Sequence, residues 1–283
     1  MTILPPIVKA DGSREAFAPE RLRASLLRAG AAAHAAERIT EMVSETVMPG
    51  VSSKEVYARA FALLRKEARP AAARYALRRA LLELGPTGHP FEDFISHLFT
   101  KEGWSVETRK MIKGTCVVHE VDFYAKRENE FLAAELKYHN DPSYKTDLKT
   151  ALYVQARFED IFSCDPKMRA CPLDRGLLVT NTKFTSEAIA YAVCAGVELL
   201  GWGYPEKENL FERMSRARVY PITTLTWLTR SEKRLLVDER LIAVDELWEK
   251  RPILEKLKLS AARVGSLYAE AEGLLALTHP FEG

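Results

Sequence analysis

Three extended stretches follow one another between residues 104 and 138 with only short polar turns between them. That spacing constrains the fold more than any other feature of the chain. Residues 104–109 alternate in polarity as a strand does, and Lys113-Gly114 turns the chain. Residues 117–124 form an apolar run, and Lys126-Arg-Glu-Asn129 makes the next turn. Residues 131–138 give the third strand. A helix precedes the three: Phe91, Phe94, Ile95, Leu98 and Phe99 recur at helical spacing on one buried face, and Gly103 ends it. A long helix spans about 144–162, followed by a buried strand at 176–181, a helix at 186–195 and a strand near 197–202. The order is α-β-β-β-α-β, then a further helix and strand.

Charged residues sit inside these apolar strands. Asp122 lies between Val121 and Phe123. Glu135 and Lys137 stand among Leu132, Ala133, Ala134 and Leu136. In a strand, residues i and i+2 share a face, so Glu135 and Lys137 project together. Neighbouring strands would bring Asp122 beside them. An exposed cross-strand ion pair would be worth little. The apolar flanks instead imply charges held in a largely buried strand, which is costly unless they are paired or metal-bound. Glu92, on the preceding helix, is a candidate third carboxylate, and Glu120 competes with it because it shares the face of Asp122. Close carboxylates repel one another, and a divalent ion relieves that. Mg²⁺ or Mn²⁺ suits such an oxygen site, often with only one or two carboxylates and several waters. His119 and His139 flank the strands and read as structural or solvated.

With 283 residues, 47% of them hydrophobic, the chain can bury a substantial core. It has no long charge-free apolar run, so no membrane span is expected, and the N-terminus lacks signal-peptide features. The four cysteines are scattered without a Cys-x-x-Cys pair, so reduced thiols and a cytoplasmic location are expected. Net charge is +2 but unevenly spread. The first 85 residues carry 14 Lys and Arg against 9 Asp and Glu. That suits a polyanion, or equally a set of solvated helix faces.

Residues 1–87 read as a small helical domain with a hairpin in front. Asp11-Gly12 is the turn, Pro19-Glu20 opens a helix, a second helix runs near 35–46, a third starts after Ser52-Ser53, and a fourth spans 71–84 up to Gly85-Pro86. Val8-Lys9, Asp11-Gly12, Glu15 with Phe17, Arg21-Leu22 and Ala73-Arg-Tyr75 followed by Arg78 resemble the ATP-cone domain of ribonucleotide reductases and their repressor. The resemblance implies ATP or dATP binding, with Lys9, Gly12 and Arg21 at the nucleotide and the two basic side chains near its phosphates. Residues 204–283 read as helical: 206–217, a helix with Ser231 as its N-cap, 240–250, 252–257 and 261–275. Within them, 257–265 suggests a helix-hairpin-helix-like tail, or else a packing or dimerisation module.

The middle segment, 88–203, resembles the restriction-endonuclease fold, the PD-(D/E)xK superfamily, nearest its Mrr-like and resolvase-like members. Phe91-Glu92, Val121-Asp122-Phe123 and Glu135-Leu-Lys137 are similar to that family's helix glutamate, motif aspartate and (D/E)xK element. Gln155 falls where Mrr-like proteins carry a helical glutamine. The resemblance implies a metal-dependent endonuclease acting on DNA. Asp122, Glu135 and Glu92 would hold the metal, Lys137 would orient or deprotonate the attacking water, and Gln155 would contact substrate or orient Lys137. The front domain would gate or assemble it into a homo-oligomer. A nucleotide-responsive nucleic-acid-binding regulator that does not cut, or a nuclease acting on RNA, would carry the same residues.

Overall fold

The computed structural model describes residues 5–9, 12–162 and 175–277. The chain opens with β1 (Pro6–Val8) and β2 (Arg14–Ala16), paired antiparallel. Gly12 lies between them at φ +80°, a left-handed conformation that glycine adopts without steric cost. Asp11 falls outside the described residues. Then come α1 (Pro19–Arg28), α2 (Ala33–Ser44), α3 (Ser53–Glu67), α4 (Arg69–Tyr75) and α5 (Leu77–Leu82). Pro19 fits the start of α1, and Ser52 with Glu55 forms a capping box at α3. Phe17, Leu22, Leu26, Ile39, Val43, Val56 and Leu64 make the core of this front unit.

The helix expected over 71–84 is two helices. Thr224 Oγ1 donates to the Ala73 carbonyl at 2.5 Å, taking the acceptor that Leu77 N–H would use in an unbroken helix. A hydroxyl inserted into the i→i−4 ladder is a known cause of a helix break.

Next are α6 (His89–Lys101), β3 (Ser105–Lys113), β4 (Val118–Arg127), β5 (Glu130–Lys137), β6 (Lys145–Thr146), α7 (Leu148–Phe162), β7 (Arg175–Thr180), β8 (Lys183–Phe184), α8 (Ser186–Ala195) and β9 (Glu198–Leu200). The central sheet has five strands in the order β3-β4-β5-β7-β9. β3, β4 and β5 are antiparallel neighbours, whereas β5, β7 and β9 run parallel. The element order read from the sequence is found, with β6 and β8 added as a separate two-stranded parallel pair. One face of the sheet (Phe123, Ala134, Leu136, Val179) packs on Phe91, Phe94 and Leu98 of α6. The other face (Val121, Ala133, Leu178) packs on Val154 and Phe158 of α7 and Ala188 of α8. A Cβ at Gly176 would overlap the Phe158 ring, so glycine there lets α7 seat on β7.

The chain ends with α9 (Leu210–Ala217), α10 (Arg230–Asp238), α11 (Arg251–Glu255) and α12 (Ala261–Ala276). The N-cap of α10 is Thr229, in a capping box with Glu232, rather than Ser231. The stretch 240–250 holds only a 3-10 turn at Val244–Leu247. There the Glu246 carboxylate accepts from Ile242 and Ala243 N–H at 3.0 Å, which anchors an irregular backbone. In the suggested tail at 257–265, Lys258, Ser260, Ala261 and Ala262 are exposed, while Arg263 of α12 donates to Glu232 and to the Trp227 carbonyl. Thr223 Oγ1 donates to Ala80 O at 2.7 Å, and the buried Glu270 takes the Thr226 and Trp227 amides. Tyr220, Ile222, Leu267 and Leu274 therefore share one core with Leu77, Leu81 and α6.

Cys116 and Cys194 are exposed free thiols, while Cys164 and Cys171 lie outside the described residues. Among the described residues no helix is long and apolar enough to cross a membrane.

Candidate active site

The β4–β5 ladder ends at the pair Phe123–Ala134. Continuing its register by one residue puts Asp122 opposite Glu135, at the point where the two strands part. Asp122 fills the gap: one carboxylate oxygen accepts from Leu136 N–H at 2.5 Å, in place of a backbone carbonyl. Its other oxygen makes no hydrogen bond among the described residues. On the opposite side, Arg109 lies between the pairs Thr108–Phe123 and Lys110–Val121, so it too stands across from Asp122. Arg109 has φ +51°, a conformation that costs a non-glycine residue about 1–2 kcal/mol. It carries its guanidinium to Glu92 at 3.2 Å and Asp93 at 3.3 Å, both on α6. Row, break and helix thus meet at one place.

Glu135 is 4% exposed and is held by two cations. Lys137 Nζ lies 2.6 Å from one oxygen, and Arg157 of α7 donates to the other. Arg157 also donates to the Glu120 carbonyl at 3.0 Å and to the Tyr153 hydroxyl. A carboxylate offers about four lone-pair sites, so these two contacts leave room for further ligands on Glu135.

Asp122 is the titratable group that registers the crowding. Burial raises its pKa first, and the charge of Glu135 raises it next. The Leu136 amide pulls it back, Glu92 adds repulsion, Lys137 offsets some of it, and the result is pushed up to about 6. Glu92, not Glu120, is thus the glutamate whose charge bears on Asp122; the Glu120 side chain is exposed. Gln155 is turned to Glu159, 3.1 Å away, and makes no hydrogen bond to the carboxylates. The structure therefore brings Asp122, Glu135 and Lys137 together, holds Glu92 on α6 against Arg109 with its charge still felt at Asp122, and leaves Gln155 outside. Sequence reasoning missed Arg157. The helix carried both residues, and only the packing angle of α7 on the sheet decides which of them reaches Glu135.

No group of three His, Cys, Asp or Glu side chains converges to hold a metal ion among the described residues. The donor set instead fits a hard divalent ion held by two carboxylates, with the remaining positions left to water and substrate oxygens, as Mg²⁺ prefers. The Asp122 oxygen that takes no hydrogen bond among the described residues, on the side chain facing Glu135, is the observation that favours this fit.

His119 and His139 are structural, as read from the sequence. His119 pairs with Asp160 at 2.7 Å, and His139 bonds Thr146 at 3.1 Å and stacks on Tyr144. In the front unit, Lys9, Gly12 and Arg21 surround one turn. Lys9 lies 2.6 Å and Arg21 3.4 Å from the same carboxylate, Glu15.

A family model described as AF1548-like, C-terminal, matches residues 220–275. Among solved structures, the crystal structure of the protein of unknown function AF1548 superposes with a TM-score of 0.52 and 32% identity, over 67% of this chain and 98% of that one. The MspJI restriction endonuclease in complex with a 27-mer oligonucleotide aligns at 14% identity and a TM-score of 0.36, over 74% of this chain and 44% of that one, an overlap too slight to bear on this site. An uncharacterized protein of Archaeoglobus fulgidus is 34% identical over 186 residues, which is 64% of this chain and 99% of the relative. A relative matched at that identity over nearly its whole length means that this chain belongs to the AF1548-like family.

Proposed function

We propose that the protein is a metal-dependent nuclease that hydrolyses phosphodiester bonds in DNA. The observation that supports this most is Asp122 facing Glu135 where β4 and β5 part, with Lys137 against Glu135. A bound Mg²⁺ or Mn²⁺ would polarise the phosphoryl group and lower the pKa of an attacking water. Asp122 and Glu135 would hold it, with Glu92 as a third ligand through water. Lys137 is the group that can orient that water and balance negative charge as it develops. Arg157 positions Glu135. On this reading residues 88–203 are the nuclease domain, with 204–283 bracing it. Residues 1–87 bind ATP or dATP through Lys9, Gly12 and Arg21 and control cutting or self-association.

The test is cleavage of plasmid and of branched DNA, with RNA as a second arm, in Mg²⁺ and in Mn²⁺. Asp122→Asn, Glu135→Gln and Lys137→Met are each expected to lower the rate about 100-fold or more. Equal cutting by wild type and all three variants rejects the site. ATP or dATP is expected to raise the melting temperature, since a ligand that binds only the folded state stabilises it. No change with either nucleotide removes the regulatory part alone.

One observation favours a second reading, a nucleic-acid-binding regulator that does not cut. Both Glu135 oxygens already hold cations, and no three-ligand group converges among the described residues. Calorimetry separates the two: DNA binding without measurable Mg²⁺ or Mn²⁺ binding supports the regulator.

A further inference from the structure

β6 and β8 are two residues each, and their register sets Lys145 directly beside Lys183. Like charges facing each other across adjacent strands are destabilising. Neither lysine has an ion pair among the described residues. Arg78, from α5 of the front unit, adds a third positive charge. Among the described residues its guanidinium donates to a carbonyl, Pro142 O, at 2.8 Å, rather than to an acid. Burial lowers the Lys183 pKa first, and the charges of Arg78, Lys145 and Lys9 lower it further. Glu187 feels the charge of Lys145 without forming an ion pair with it. Lys145 and Lys183 therefore stand side by side, with the charge of Arg78 acting on Lys183 as well, whereas Lys9 is already paired with Glu15. Elsewhere the chain's basic side chains are widely matched to carboxylates, as with Arg175–Glu198, Arg213–Glu102 and Arg263–Glu232.

A cleft of about 330 Å³ opens beside Lys183, between the front unit and the sheet, with Arg28 and Trp202 on its walls. The acid on that wall, Glu212, accepts from the Glu208 amide. The basic pair is also tied to the candidate active site. Thr146, next to Lys145, donates to Thr180 at 3.2 Å, and Thr180 donates to the Lys137 carbonyl at 2.9 Å. The cations thus lie along the same end of the sheet as Lys137.

We infer that Lys145, Lys183 and Arg78 form a phosphate-binding seam for the nucleic-acid strand that enters the active site, with the front unit supplying part of the substrate track. This rests on the nuclease reading for its substrate, but it concerns binding rather than cutting. A phosphate chain supplies the negative charge that neighbouring carboxylates do not, and basic side chains that neutralise phosphates give salt-dependent affinity.

The test uses the full chain and a labelled DNA duplex in EDTA, so that nothing is cut, with affinity read by fluorescence anisotropy across a salt series. The double variant Lys145→Gln/Lys183→Gln is expected to bind about tenfold more weakly, and the slope of log affinity against log salt should fall by about 2. Lys145→Arg/Lys183→Arg should keep both. The glutamine variant should melt at the same temperature as wild type or higher, because repulsion is relieved, which separates lost binding from lost folding. Unchanged affinity and slope overturn the seam, even if Glu135→Gln abolishes cleavage. Unchanged DNA binding with weakened ATP binding overturns it too, assigning the cations to a free nucleotide. Lost affinity in a protein that never cuts DNA leaves the seam standing and removes the nuclease.

Discussion

Asp122 is held ionised at neutral pH against Glu135 and Glu92, and this has a measurable cost. Its carboxyl is pushed up to about 6 from 3.8. A folded-state pKa above the unfolded one means that the protonated form favours folding. The contribution is complete below about pH 4 and is lost as pH rises through 6, amounting to at most about 3 kcal/mol. Asn is neutral and can still accept from Leu136 N–H. In the metal-free protein, Asp122→Asn should therefore raise stability by about 1–3 kcal/mol at pH 7 and leave it nearly unchanged at pH 4. Urea unfolding at the two pH values in EDTA checks this. A variant less stable at pH 7 would show that the carboxylate is held by attraction rather than crowded by repulsion. The same residue predicts that Mg²⁺ binding weakens below pH 6, as a proton competes for the ligand. Calorimetry at pH 5 and 7.5 reads it, and equal affinities would remove Asp122 from the ligand set.

At the scale of elements, the front hairpin, the first three helices, α6 and the central strands were legible because hydrophobic periodicity and turn residues agreed locally. Where the reading failed, a distant residue decided. Nothing in residues 71–84 announces a break. The hydroxyl of Thr224, far along the chain, makes it. Thr224→Val removes that donor and leaves the buried Ala73 carbonyl with the Ala76 amide at 3.1 Å, so it should lower stability by about 0.5–1.5 kcal/mol, the worth of one hydrogen bond. Chemical denaturation measures this, and a neutral result would mean that α4 and α5 part for another reason. The Thr229 cap was visible as Thr-x-x-Glu. β6 and β8 were not, because two-residue strands carry no period. In the site, Asp122, Glu135 and Lys137 were readable as charged residues in apolar strands, whereas Glu92 came only from the family resemblance. The left-handed Arg109 and the reach of Arg157 depend on register and helix packing, which no local pattern encodes.

At the scale of the molecule, the C-terminal segment acts as a brace. It joins α4 and α5 to α6 through a core that includes Leu267 of α12, which is fully buried. Leu267→Ala should cost about 2–5 kcal/mol. Hydrogen exchange should then show protection falling together in α4, α5, α6 and α12, whereas a loss confined to α12 would contradict a shared core. Through this shared core α4 and α5 of the front unit pack against α6 beside the sheet. The most direct measurement of the central claim is the rate of DNA cleavage in Mg²⁺ by wild type and by Glu135→Gln, with both shown to be folded and to bind DNA equally. The account predicts cutting by the wild type and a loss of about 100-fold or more in the variant; the same rate in both would contradict it.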